Sequence, residues 1–274
     1  MARVLLLSPT WRLVTAALVA LGLLTLPTYL LALILLPPVP PIVMIRSFLL
    51  GTALPLCMAW GMMRAFAGSL AVRDGELALR RGDLEMVVPC TAIAGVRPWW
   101  IALPAPGLSL RLHDGRNVPL GVAFDDPLPP LDALATFGID TTGARHHPSL
   151  TRAATRPRRP WWGAALKFGV LGILPASLLF YTHQHIAYGG PFGQYYLESP
   201  RAYFTSFAQY WATTAILLLS YASLWRTAAE LIVWTIAAIT PSHTQSTRNA
   251  VETLCALAYY AGVPAMLAFR YLAD

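Results

Sequence analysis

Charge is scarce in this chain. Of 274 residues only 12% are Asp, Glu, Lys or Arg, about half the share of an ordinary globular domain. Lysine is almost missing: one Lys stands against 19 arginines, and the formal net charge is +7. The three cysteines (Cys57, Cys90, Cys255) are scattered, without CxxC or metal-ligand spacing, which excludes a disulfide framework or zinc module. Two of them fall in apolar runs and read as small packing residues. GxSxG, HExxH, GxGxxG and P-loop motifs are all lacking. No catalytic residue and no cofactor is therefore expected.

What the chain has is apolar length: 56% of its residues are hydrophobic. Crossing about 30 Å of hydrocarbon takes roughly 20 apolar residues in a helix. Five runs qualify, at 13–36, 42–63, 161–182, from Tyr203 onward, and at 250–269. The first three contain no Asp or Glu. The opening run follows Met-Ala-Arg as a signal peptide would, but it is too long for an h-region and lacks a cleavage signature, so a retained anchor is expected. After Arg226 the fourth run continues as "TAAELIVWTIAAIT" with no turn before Pro241. It is either one helix of about 55 Å or a span followed by a re-entrant element.

Residues 64–160 differ in character, holding 12 of the 19 arginines and nine of the 13 acids. Arginines flanking apolar runs speak for topology rather than nucleic acid, and by the positive-inside rule this segment is cytoplasmic. The order expected is N-terminus inside, five spans, C-terminus outside, in the inner membrane of a bacterium. The fold class is a membrane α-helical bundle of about five transmembrane helices with an inserted small β-rich domain. The divisions are a two-span hairpin (1–66), the domain (67–144), a basic juxtamembrane linker (145–160) and a three-span bundle (161–274).

Within the domain, "SLAVR", "ELALRR", "LEMVVP" and "LSLRLH" alternate with the period of half-buried strands. Asp74-Gly75 and Asp114-Gly115 between such segments are strong hairpin signals. "DPLPPLDALATFG" (126–138) predicts one short helix across the sheet end. The segments "VRDGELALRRGDLEMVVPCTAIAGVRPW" and "PGLSLRLHDGRNVPLGV" resemble the bacterial pleckstrin-homology-like domain over about residues 67–140. The resemblance implies antiparallel hairpins closed by a helix, and a tendency to bind proteins or membrane surfaces. It transfers no catalytic residue.

Several places are candidate sites. In "RPWWIALPAPG" (97–107), Trp99 and Trp100 are either a membrane-touching or partner-binding tip, or one caps the small core while the other faces solvent. In "YTHQHIAYGGPFGQYY" (181–196), His183 and His185 with Glu198 are a weak metal set, because three or four converging ligands are needed and positions i and i+2 diverge on a helix. Tyr188, Phe192, Tyr195 and Tyr196 fit an aromatic belt better, on a flat external loop that could dock a partner. Arg156, Arg158, Arg159, Trp161 and Trp162 are expected at anionic lipid headgroups. Arg226 and Glu230, four apart, are either an intramembrane polar element or a surface pair where the helix emerges. Ala258 with Gly262, and Ala261 with Ala265, permit close helix approach, within the bundle or in an oligomer. The expected role is a non-catalytic inner-membrane scaffold, assembly factor or accessory subunit, with other membrane-protein subunits as partners. The rivals are a transporter or channel built on the last three spans, and a metal-dependent membrane enzyme at His183 and His185.

Overall fold

The structure is a computed structural model that describes residues 2–36, 39–73, 75–124, 126–157, 161–265 and 268. It opens with an element the sequence pattern did not announce, the strand β1 (Ala2–Leu7), with Val4 and Leu6 buried. Helix α1 (Pro9–Leu35) follows at once. Proline suits its first position, because the missing N–H would have no partner there. Helix α2 (Pro41–Phe48) starts the same way and passes through a π-helical turn at Leu49–Ala53 into α3 (Leu54–Ala65). Pro55 can give no N–H to the preceding turn, and the helix widens just ahead of it.

The remaining strands are β2 (Ala67–Arg73), β3 (Glu76–Arg81), β4 (Leu84–Pro89), β5 (Ile93–Pro98), β6 (Gly107–Leu112) and β7 (Gly121–Ala123). They form one antiparallel sheet in the order β4-β3-β2-β1-β7-β6-β5. The turns expected at Gly75 and Gly115 form, with φ of 77° and 83°, a region where only glycine sits without strain. Strand β1 lies at the centre of the sheet, with Leu5 opposite both Ala67 of β2 and Ala123 of β7. The sheet therefore begins at residue 2, and the two-helix segment is an insertion between its first and second strands.

Three short helices follow: α4 (Leu128–Thr136), α5 (Thr142–Arg145) and α6 (Pro148–Ala154). One core joins them to the sheet, with Leu6, Leu79, Leu110 and Val122 packed with Leu131, Leu134 and Leu150. Each such leucine contributes about 1.5–3 kcal/mol by leaving water. Leu150 lies inside the segment read from the sequence as a linker, so the domain's core extends at least that far.

Next come α7 (Trp161–Ala164), a π-helical stretch at Ala165–Val170, α8 (Ile173–Tyr188), α9 (Gly193–Leu197), α10 (Pro200–Ile239) and α11 (Thr244–Tyr260). The chain divides into two compact units. Met1–Leu21, Pro55–Arg156 and Ala229–Glu252 make the first, and Gly22–Leu54, Pro157–Ala228 and Thr253–Asp274 the second. In the second unit, Phe180 packs edge-on against Tyr203 and Phe207, and Tyr29, Met44 and Ile216 form a small buried cluster. The Trp211 indole N–H donates to the Gly169 carbonyl in the π-helical stretch at 3.0 Å.

Four helices among the described residues are long and apolar enough to cross a membrane: Pro9–Ala32, Pro41–Ala65, Trp162–Tyr188 and Pro200–Ile239. Five were expected. The difference lies in α11, which begins on the polar sequence "TQSTRN" and stops at Tyr260. The apolar run placed at 250–269 continues into Met266, Leu267 and Phe269, which lie outside the described residues. The fourth run is one unbroken 40-residue helix, so the re-entrant alternative does not form.

Candidate functional site

Three clusters collect the chain's scarce polar groups. The first surrounds Glu230, in the part of α10 that belongs to the β-domain unit. Arg248, on α11, is 1% exposed and donates through both terminal nitrogens to the Glu230 carboxylate, at 2.8 and 3.1 Å. Arg152 of α6 adds a second guanidinium 3.6 Å from the same carboxylate, and its backbone carbonyl accepts from Arg248 at 3.5 Å. Burial lowers the pKa of Arg152, while the Glu230 charge opposes that shift. An end-on pair of parallel hydrogen bonds is the strongest arrangement an arginine and a carboxylate make. The cluster ties α6, α10 and α11 together. Sequence spacing pointed to Arg226 and Glu230; Arg248 and Arg152, 18 and 78 positions away from Glu230, carried no local signal. Among the described residues the buried Arg248 Nε has no hydrogen-bond partner.

The second cluster lies on the outer side of the β-sheet. Trp99 is only 4% exposed. Its indole N–H donates to the Ser109 hydroxyl at 3.0 Å, and the Arg12 guanidinium lies 4.2 Å above the ring. Glycines make room for it: a Cβ at Gly107 or Gly121 would stand 2.6 or 2.5 Å from ring carbons. Trp99 is thus spent on the domain's own packing, as in the alternative in which one tryptophan caps the core and the other faces solvent. Trp100, its neighbour, is 67% exposed and meets His147 edge-on at 4.9 Å. Beneath them the Ser149 hydroxyl donates to the Trp99 carbonyl at 2.8 Å and stands 2.8 Å from His147 Nδ1. One hydroxyl has one hydrogen, so Nδ1 must be the donor in the second contact, leaving Nε2 as a bare acceptor. That Nε2 is buried without a partner among the described residues, and burial lowers the His147 pKa.

The third cluster is the segment read as a flat loop. Helix α8 runs on to Tyr188 and ends at Gly189 in the left-handed conformation, and α9 follows within four residues. Gln184, fully buried, donates one amide hydrogen to the Gln194 side-chain oxygen at 2.9 Å and accepts the Gln194 backbone N–H at 3.2 Å. Gln194 in turn donates to Glu198 and to Ser206, and the Tyr188 hydroxyl donates to Glu198 at 2.9 Å. These hydrogen bonds hold the Glu198 carboxyl below its ordinary pKa. Above this knot Phe192, Tyr195, Tyr196, Tyr203, Phe204 and Phe207 line an open concavity of about 480 Å³. Tyr196 is 80% exposed and Phe204 62%. The glutamines were missed because neither stands in a motif; their only sequence mark is polarity beside an apolar run.

His183 and His185 both lie on α8, two positions apart. His183 packs near Tyr210 and His185 against Tyr181, ring centroids at 5.2 and 4.3 Å. Glu198 is engaged by Tyr188 and Gln194, and no group of three metal-ligating residues exists among the described residues. Arg156 and Trp162 are exposed. Arg158 and Arg159 lie outside the described residues, as does the side chain of Trp161. At one of the two small-residue pairs of the last apolar run, the Tyr221 hydroxyl donates to the Ala258 carbonyl at 3.1 Å and would touch a Cβ at Gly262. Compared with family models, curated proteins and solved structures, the chain finds no match.

Proposed function

We propose that this chain is a non-catalytic scaffold or accessory subunit of a membrane protein complex. The observation that carries the reading is the aromatic concavity over residues 192–207, mounted on the buried Gln184–Gln194 knot. Rigid aromatic rings give large contact area at little conformational cost, which suits them to anchoring a partner. The polar groups beneath bond one another, which favours a platform over a reaction centre. Glu230 is gripped by Arg152 of the β-domain unit, which favours a structural cross-link over the polar element of a transporter.

A consistent topology supports this reading. Strands β1 and β2 are hydrogen-bonded neighbours, so the ends of the α1–α3 segment must lie on one side of any membrane it crosses. Two apolar helices between them meet that condition. The arginines of 64–160 favour the cytoplasmic side of a bacterial inner membrane, with Arg156 and Trp162 at the headgroups. Pro200–Ala228, about 43 Å of helix, suffices for the fourth crossing before α10 joins the β-domain unit. Antiparallel hairpins closed by helices also favour the pleckstrin-homology-like reading of the domain.

The test is purification from native membranes in mild detergent, with the composition of the eluate quantified by mass spectrometry. A stoichiometric protein partner that is lost from the Phe192→Ser/Tyr196→Ser/Phe204→Ser variant is the expected result. A monodisperse protein alone, or a partner retained by that variant, overturns the reading.

A further inference from the structure

A groove of about 660 Å³ opens on the β-domain at strand β5. Register explains its chemistry. On β6, Leu108 and Leu110 point into the core, so Ser109 and Arg111 face outward. Arg111 stands opposite Gly95, and Arg97 opposite Ser109, after an irregularity between Ile93 and Gly95. Both guanidinium-bearing side chains therefore rise from one face, on diagonal positions of neighbouring strands. Gly95 leaves the floor bare: the nearest atom to a Cβ there is the Asp140 carbonyl, at 3.9 Å. His113 and Asn117 complete the wall.

Arg97 and Arg111 are both exposed, and neither makes a hydrogen bond or an ion pair through its side chain among the described residues. Asp140, the acid on the rim, already accepts the Thr142 N–H at 2.9 Å. That bond holds its carboxyl below the ordinary value, so it stays ionised and repels an anion from its own side of the groove. Two unpaired guanidiniums beside an imidazole are an arrangement for tetrahedral oxyanions, each planar fork matching two oxygens. The volume is that of a small-molecule site.

We infer that this groove binds a phosphate-bearing ligand, its phosphoryl oxygens held between Arg97 and Arg111 with His113 at the edge. The same chemistry is offered by a soluble phosphate ester and by the headgroup of a phosphate-monoester lipid. The inference stands on the β-domain alone and is independent of the scaffold reading.

The experiment uses the full chain in detergent for a calorimetric titration with inorganic phosphate. In parallel, the chain is placed in neutral-lipid nanodiscs doped with phosphatidic acid, and bound lipid is counted by native mass spectrometry. The Arg97→Gln/Arg111→Gln variant is compared with an Arg80→Gln/Arg116→Gln control of equal charge change, melting temperatures confirming that both fold. Saturable binding in the first arm assigns a soluble ligand, and retention in the second alone assigns the lipid. In either case the site variant binds about ten-fold or more weakly, since each charge-assisted bond is worth about that factor, while the control matches wild type. Absence of binding in both arms, or equal loss in the control, overturns the proposal.

Discussion

Replacing Glu230 by Ala removes the carboxylate that both terminal nitrogens of Arg248 address, and leaves a guanidinium that is 1% exposed without that counter-charge. Breaking one side of a buried pair typically costs about 3–5 kcal/mol, because the remaining ion keeps its desolvation penalty. Replacing both members by apolar residues of similar size is often neutral or favourable by about 1–4 kcal/mol. Arg152, 3.6 Å from the same carboxylate, loses a partner too, which places Glu230→Ala towards the upper part of the range. The assay is amide hydrogen exchange read by mass spectrometry over 244–252, where α11 enters the cluster. Local opening that is easier by about 3 kcal/mol raises exchange there on the order of 10²-fold, with strands β2–β3 unchanged. Arg248→Met should act in the same direction, and Glu230→Leu/Arg248→Met should recover most of the protection. If Glu230→Ala changes exchange less than about three-fold, or if the double variant is as exposed as the sum of the singles, the cluster does not hold α11 and the reasoning fails.

Three further outcomes follow from the same structure. Gly107→Ala should lower stability by about 1–3 kcal/mol through its clash with the Trp99 ring, seen as a lower melting temperature, whereas Trp100→Ser should change it little. The His147 pKa is lowered in the folded protein, so the unfolded chain takes up more protons as pH falls below about 6.5. Stability from this group is thus present above that value and lost as pH falls through the folded pKa. The melting-temperature decline between pH 7 and 5 should be shallower in His147→Asn, and an identical slope would contradict the assignment. Gln194→Leu strands the fully buried Gln184 side chain at a cost of about 1–3 kcal/mol, while Gln184→Leu/Gln194→Leu should be milder in a detergent unfolding series.

The parts legible in the sequence were those written in local periodicity. Strands β2, β3, β4 and β6, the turns at Gly75 and Gly115 and the helix α4 all follow from alternation and Asp-Gly pairs within a few residues. Strand β1 was hidden because "ARVLLL" runs into an apolar helix, and a strand buried in the middle of a sheet shows no alternation to separate it from one. The site residues divide the same way. The aromatic character of 181–204 was visible as composition. The bonds of Arg248 with Glu230 and of Trp99 with Ser109 depend on where distant elements come to rest, which no spacing encodes. Arg97 and Arg111 were visible as residues, but only the register of β5 on β6 makes them neighbours.

The central place of β1 also sets a schedule. Leu6 and its partner Val122 leave the ribosome more than a hundred residues apart. At synthesis rates of about 5–20 residues per second, the first strand waits roughly 5–25 s for its last neighbour. On the membrane reading, α1–α3 is inserted during that interval, while β1 still lacks its β7 neighbour. That strand is an unpaired apolar ribbon that would be free to join another chain's sheet edge. On that reading a defect in inserting the helical pair should surface as aggregation of the sheet.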